Sequence, residues 1–123
     1  RYHEDRSTFP YKDLAAVCGV ENCVFLGTRA EHRDFCEEMG VAVRHQVTRD
    51  LREVAAVIDQ AEIFIGNQSA PHAIACGLGV PVLQEGCRWC DTCRMGWPEQ
   101  CIIFQHEVVT VGMVAELMSG RRV

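Results

Sequence analysis

The chain has 123 residues, 48% of them hydrophobic and 24% charged, a balance that fits one globular domain and leaves no room for a complete two-domain enzyme. Seventeen acidic against 12 basic residues give a formal charge of −5, which argues against a nucleic-acid-binding face. No apolar run approaches the roughly 20 residues of a membrane span, and the charged residues 1–6 lead into no signal-peptide core, so the expected compartment is the cytoplasm, with no integral membrane segment.

Taken in order, residues 1–8 are polar and read as irregular. A short helix is expected over residues 12–18, stopped by Gly19, then a strand over residues 23–26 that ends at Gly27 and Thr28. Residues 29–39 read as a helix with Ala30, Phe35 and Met39 inward and Glu31, Arg33, Asp34, Glu37 and Glu38 outward. Gly40 closes it. A strand follows over residues 41–45, and Thr48 or Asp50 caps a helix whose Leu51, Val54, Ala55 and Ile58 share a face.

Residues 63–85 form the unit around which the rest is arranged. Ile63, Phe64 and Ile65 read as a buried strand. Gly66 lets the backbone turn, and Asn67, Gln68 and Ser69 supply small polar side chains where a helix should begin. Pro71 suits the first turn, where its missing N–H costs nothing. Ala70, Ala73, Ala75, Cys76 and Gly77 are small enough for the helix to lie close against a sheet. Gly77 and Gly79 end it, and residues 80–83 begin the next strand. Such a turn serves equally as an ordinary helix cap or as an anion site at the carboxyl end of a strand.

Beyond Glu85 comes a cysteine-rich loop with Trp89 and Trp97, then a final strand over residues 101–104. Thr110 caps a last helix with Val111, Val114, Ala115 and Met118 apolar. The alternation of strands and helices predicts an α/β fold: a single Rossmann-like domain over 1–123, a doubly wound parallel sheet in three α/β/α layers. A strand would normally precede the first helix. The chain is therefore expected to be a fragment lacking its first strand, or to complete its sheet edge by pairing with another copy.

Residues 24–28 (Val-Phe-Leu-Gly-Thr) with Glu31, the helix 51–61, Ile65-Gly-Asn-Gln-Ser-Ala-Pro71 and Ala75-Cys-Gly-Leu-Gly-Val-Pro-Val82 together resemble the C-terminal, nucleotide-sugar-binding half of a GT-B glycosyltransferase. The likeness is to family 9, the ADP-heptose:lipopolysaccharide heptosyltransferase group, and it spans about residues 1–104. The family's turn carries an acidic residue, Ser or Thr, Gly and shortly afterwards His. Here Asn67-Gln68-Ser69-Ala70 lacks the acid, has Ala for the Gly, and is followed by His72 one position early.

The resemblance implies a nucleoside diphosphate or nucleotide sugar as ligand and no other cofactor. Gly66, Asn67, Gln68, Ser69, Ala70 and the following N–H groups would hold the donor diphosphate. Glu31 would bind ribose hydroxyls, and Gly27 and Thr28 would pass close to the base or ribose. Arg1 and Tyr2 would face the phosphates, and Glu85 would touch the donor sugar. Glu31 reads equally as an acid favoured by a helix start; His72 is a further donor-site candidate, though a histidine in such a first turn is more often half-buried and hydrogen-bonded. The resemblance places the catalytic base in an N-terminal half, so this domain is expected to be inactive alone and to lack a catalytic residue.

Eight cysteines divide into two sets. Cys18, Cys23, Cys36 and Cys76 read as buried small hydrophobes. Cys87, Cys90, Cys93 and Cys101 cluster in one loop; structural thiols are the expected reading, a zinc or iron–sulfur site the other. Two further functions stay open: a self-associating, non-catalytic α/β module, and a small metal-binding domain built on that loop.

Overall fold

The computed structural model describes residues 11–66, 69–86, 101–104, 112 and 114–116. Helix α1 spans Tyr11–Cys18, and a 3-10 turn, Val20–Asn22, leads into strand β1, Val24–Phe25. Helix α2 covers Arg29–Met39 and strand β2 Arg44–His45. Helix α3, Leu51–Asp59, precedes strand β3, Phe64–Gly66. Helix α4 is Ala70–Gly77, followed by strands β4, Val82–Gly86, and β5, Cys101–Phe104.

All the described pairings are parallel. β1 pairs with β2, while β4 lies between β3 and β5. The described strands thus form a mixed α/β domain with two sheets, of two and three strands, in place of the single doubly wound sheet that the alternation predicts. The first pair is short: of the expected strand over residues 41–45, only Arg44 and His45 enter the ladder.

The three-stranded sheet separates two apolar clusters, because successive strand side chains point to opposite faces. Leu14 of α1, Leu83 and Val114 form one, with Ile63 and Ile65 against them. Ile58 of α3, Ala75 of α4, Val80 and Val82 form the other, with Phe64 and Leu26 against them. Register agrees with this division, since Phe64 pairs with Val82 and Ile65 with Leu83.

Each helix start explains its own position. Thr28 and Glu31 form a capping box at α2, and Gly40 closes the helix in the left-handed conformation. Asp50, not Thr48, caps α3, its carboxylate accepting from the Glu53 N–H at 3.0 Å. Glu53 reaches back to the Arg49 N–H at 3.1 Å and to its guanidinium at 3.0 Å.

Several residues expected inside are outside. Ala30, Leu51, Ala70, Ala73, Gly77 and Ala115 are all exposed. Four of these, Ala30, Leu51, Ala70 and Ala73, lie among the first four residues of a helix. Of the small residues in α4, Ala75 alone is fully buried; Gly77 has no atom within 4 Å of where a Cβ would stand. Cys18, Cys23, Cys36 and Cys76 are partly, not fully, buried.

Candidate functional site

Of the two expected site turns one is described in full and the other only at its flanks, and both follow the carboxyl end of a parallel strand. The first is Gly27–Thr28, after β1. Gly27 sits at φ 149°, and a Cβ there would stand 2.8 Å from the Phe25 ring and 3.3 Å from Glu31 Oε1. The close approach of the turn to that ring therefore requires glycine. Thr28 Oγ1 accepts from the Glu31 N–H at 3.1 Å, and Glu31 Oε1 accepts from the Thr28 N–H at 2.9 Å. These bonds from Thr28 hold the Glu31 carboxyl below its ordinary value. Glu31 is thus the helix-start acid that its position allowed, with one carboxylate oxygen committed to the backbone.

Removing this box has a calculable cost. Thr28→Ala should lower unfolding stability by about 0.5–2 kcal/mol, read from urea denaturation at pH 7. Because the Glu31 carboxyl is depressed in the folded state, its contribution is fully present above the ordinary carboxylate range. It is lost as pH falls through the folded value, and the variant should keep most of this acid loss, because the backbone N–H at position 28, the larger cause of the shift, is unchanged.

Around this turn lies an aromatic group the sequence reading did not pick out. His32 and His45 stack with ring centroids 4.9 Å apart and planes 13° from parallel. Phe25 lies 5.5 Å from His32 and 5.0 Å from Phe35, which meets Tyr11 edge-on. The His45 Nε2–H donates to the Gly27 carbonyl at 2.8 Å, and the His32 Nε2–H donates to that of Val43. A signal existed in sequence: Phe25, His32 and Phe35 fall on one strand and one helix face, but only strand pairing adds His45.

The second turn follows β3. Asn67 and Gln68 lie outside the described residues, as do Arg1, Tyr2 and the loop carrying Cys87, Cys90 and Cys93. Ser69 is the N-cap of α4, with extended backbone and no side-chain capping bond. Its carbonyl accepts from the Ala73 N–H at 3.0 Å. Pro71 occupies the second helical position and has no N–H, so Ala70 and His72 carry the backbone donors of that first turn. Ala70 is exposed.

His72 departs from expectation. It is fully buried, not half-buried, and neither ring nitrogen has a hydrogen-bond partner among the described residues. Its ring centroid lies 6.3 Å from that of Phe64. Burial pushes its pKa below the ordinary 6.5, so the ring is held neutral. Gln84 of β4 is also fully buried. Pairing with Gly66, and alternation along β4, put it on the Phe64–Val82 face that α4 covers. Two buried polar side chains thus lie beneath the start of α4, towards the carboxyl ends of β3 and β4. Glu85 follows on the same strand, its backbone paired with Ile103.

No helix among the described residues is long and apolar enough to cross a membrane, and no group of three or more His, Cys, Asp or Glu among them could hold a metal ion. Comparison of the chain with family models, curated proteins and solved structures gives no match.

Proposed function

We propose that this chain is a nucleoside-diphosphate-binding domain of the GT-B glycosyltransferase type, holding the donor diphosphate at the turn from Gly66 to Ala70. In this reading the two sheets are parts of one Rossmann-like, doubly wound sheet in three layers, ordered β2-β1-β3-β4-β5. Leu26, just after β1, packs into the same cluster as Phe64 of β3, which supports bringing the two strands side by side. The strand order then reverses between β1 and β3. Open α/β sheets bind ligands at such a switch point, outside the carboxyl ends of the strands. The Gly27–Thr28 and Gly66–Ser69 turns would flank it, the second taking phosphate and the first the ribose through the Glu31 carboxylate.

The observation that carries the reading is the imidazole of His72. A buried polar group left without a partner costs about 1–3 kcal/mol, and such groups are uncommon enough to call for a functional explanation. This one lies in the helix turn where an anion would seat. A nucleotide sugar would be held here for transfer by groups outside this domain, and the isolated chain is expected to bind without transferring.

Calorimetric titration of the purified chain with ADP, UDP and GDP tests this directly. One of the three should bind at one site per chain, and the matching monophosphate more weakly by about tenfold, the equivalent of about 1.4 kcal/mol. Absence of heat with all three at millimolar concentration would overturn the proposal.

A further inference from the structure

The stacked imidazoles sit at the carboxyl end of the β1–β2 pair. His45 ends β2 and pairs in register with Phe25, the last residue of β1, and His32 is the fourth residue of α2. The two rings are parallel to within 13° with centroids 4.9 Å apart, an offset stack of the kind aromatic rings prefer. Each is fixed through its Nε2–H. That of His45 donates to the Gly27 carbonyl at 2.8 Å and that of His32 to the Val43 carbonyl. Phe25 meets both at a tilt, 53° to His32 and 59° to His45, so it lies along their edges. One face of His45 is thus taken by His32. The other makes no ring contact among the described residues, and the side chain is only partly buried. A flat ring held in place with one face open is a surface on which a nucleobase stacks.

We propose that the open face of His45 is the base platform of the nucleotide site and that the base is a purine, so that the ligand is a purine nucleoside diphosphate. This assignment rests on the diphosphate-binding proposal above and adds the base to it. In the order β2-β1-β3-β4-β5, the turn for the phosphates follows β3, the turn carrying Glu31 for the ribose follows β1, and His45 ends β2. Phosphate, ribose and base then meet three neighbouring strands in their own covalent order. β3 and β2 stand about 10 Å apart, two strand spacings, which a nucleoside with two phosphates spans. The Gly27 carbonyl that accepts from His45 belongs to the ribose turn itself, so one bond ties the platform to the ribose subsite. Because the ring is already held, little ordering is left to be done on binding. A purine covers more of the ring than a pyrimidine and takes more apolar surface out of water, which sets the preference.

The test titrates the whole chain by calorimetry with ADP, GDP, UDP and inorganic pyrophosphate. ADP or GDP should bind about tenfold more tightly than UDP. His45→Leu, which fills the space without a π face, should weaken the purine diphosphate about tenfold and leave pyrophosphate unchanged. His45→Phe restores the ring but not the bond to Gly27, so recovery of most of the loss would separate stacking from support of the turn. In the wild type, the His45 ring-proton resonances should move upfield with the purine diphosphate and not with pyrophosphate. Should His45→Leu not fold, the wild-type selectivity and these resonances decide. UDP bound as tightly as ADP and GDP, His45 resonances that do not move, or purine affinity unchanged in His45→Leu would overturn the platform and leave the diphosphate turn standing. No heat with any of the four ligands would remove both.

Discussion

Ser69→Asp weakens nucleoside diphosphate binding about a hundredfold and leaves the fold as stable as before, or slightly more so. Ser69 sits at the N-cap of α4 with extended backbone, φ −159° and ψ 176°, a conformation Asp adopts as readily as Ser. An aspartate there can accept from the His72 N–H at the third helical position, since Pro71 offers none. It also places a negative charge at the positive end of the helix dipole, worth about 0.3–1 kcal/mol at an exposed start. The same charge occupies the donors a phosphate would use and repels it. An affinity loss of about a hundredfold, close to 3 kcal/mol, is expected by calorimetry, with a thermal midpoint equal to or above that of the wild type. Binding unchanged in a folded Ser69→Asp protein would remove the turn from the site. Asn in place of Asp isolates the charge: it caps comparably, so it should bind closer to the wild type.

The parts of this architecture that were legible in sequence are those fixed by local chemistry. Thr28 with Glu31 three residues on, and Gly40 after Met39, set both ends of α2 at the residues where they are found. Pro71 and the polar residue before Ala70 did the same for the start of α4. What failed was the inference from an apolar side chain to a buried one near helix starts. Leu51 is 61% exposed although it shares the period of Val54 and Ile58, because the first residue of a helix overhangs the edge of the surface the helix covers. The His72–Gln84 placement was illegible for a different reason. Their shared face depends on Gly66 pairing with Gln84, a register that no local pattern states. The stacked His32 and His45 likewise come together only through β1 pairing with β2.

His72→Leu should stabilise the fold and remove an acid sensitivity of the wild type that sets in as pH falls below about 6.5. The imidazole is fully buried without a hydrogen bond among the described residues, so a leucine of similar bulk keeps the place beside Phe64 filled and relieves the desolvation. A gain of about 1–3 kcal/mol is expected at neutral pH from urea denaturation. The sign of the pH term follows from the direction of the shift. Burial lowers the folded pKa below the ordinary 6.5, so in the interval between them the unfolded chain binds a proton that the folded chain does not. Stability is therefore fully present above 6.5, falls with pH below it, and levels off once pH passes the folded value. The difference between wild-type and His72→Leu curves isolates this one group, because every other ionisable side chain is common to both proteins. Glu31 belongs to a separate and more acidic window, its folded value being lowered from 4.5. A difference curve that stays flat as pH falls below about 6.5 would mean that the ring meets a partner or water in solution, and the argument that it awaits a ligand would fail with it. A sloping curve that flattens when saturating nucleoside diphosphate is added would show the bound anion supplying the contact that the protein leaves open, since an anion beside the ring favours its protonated form.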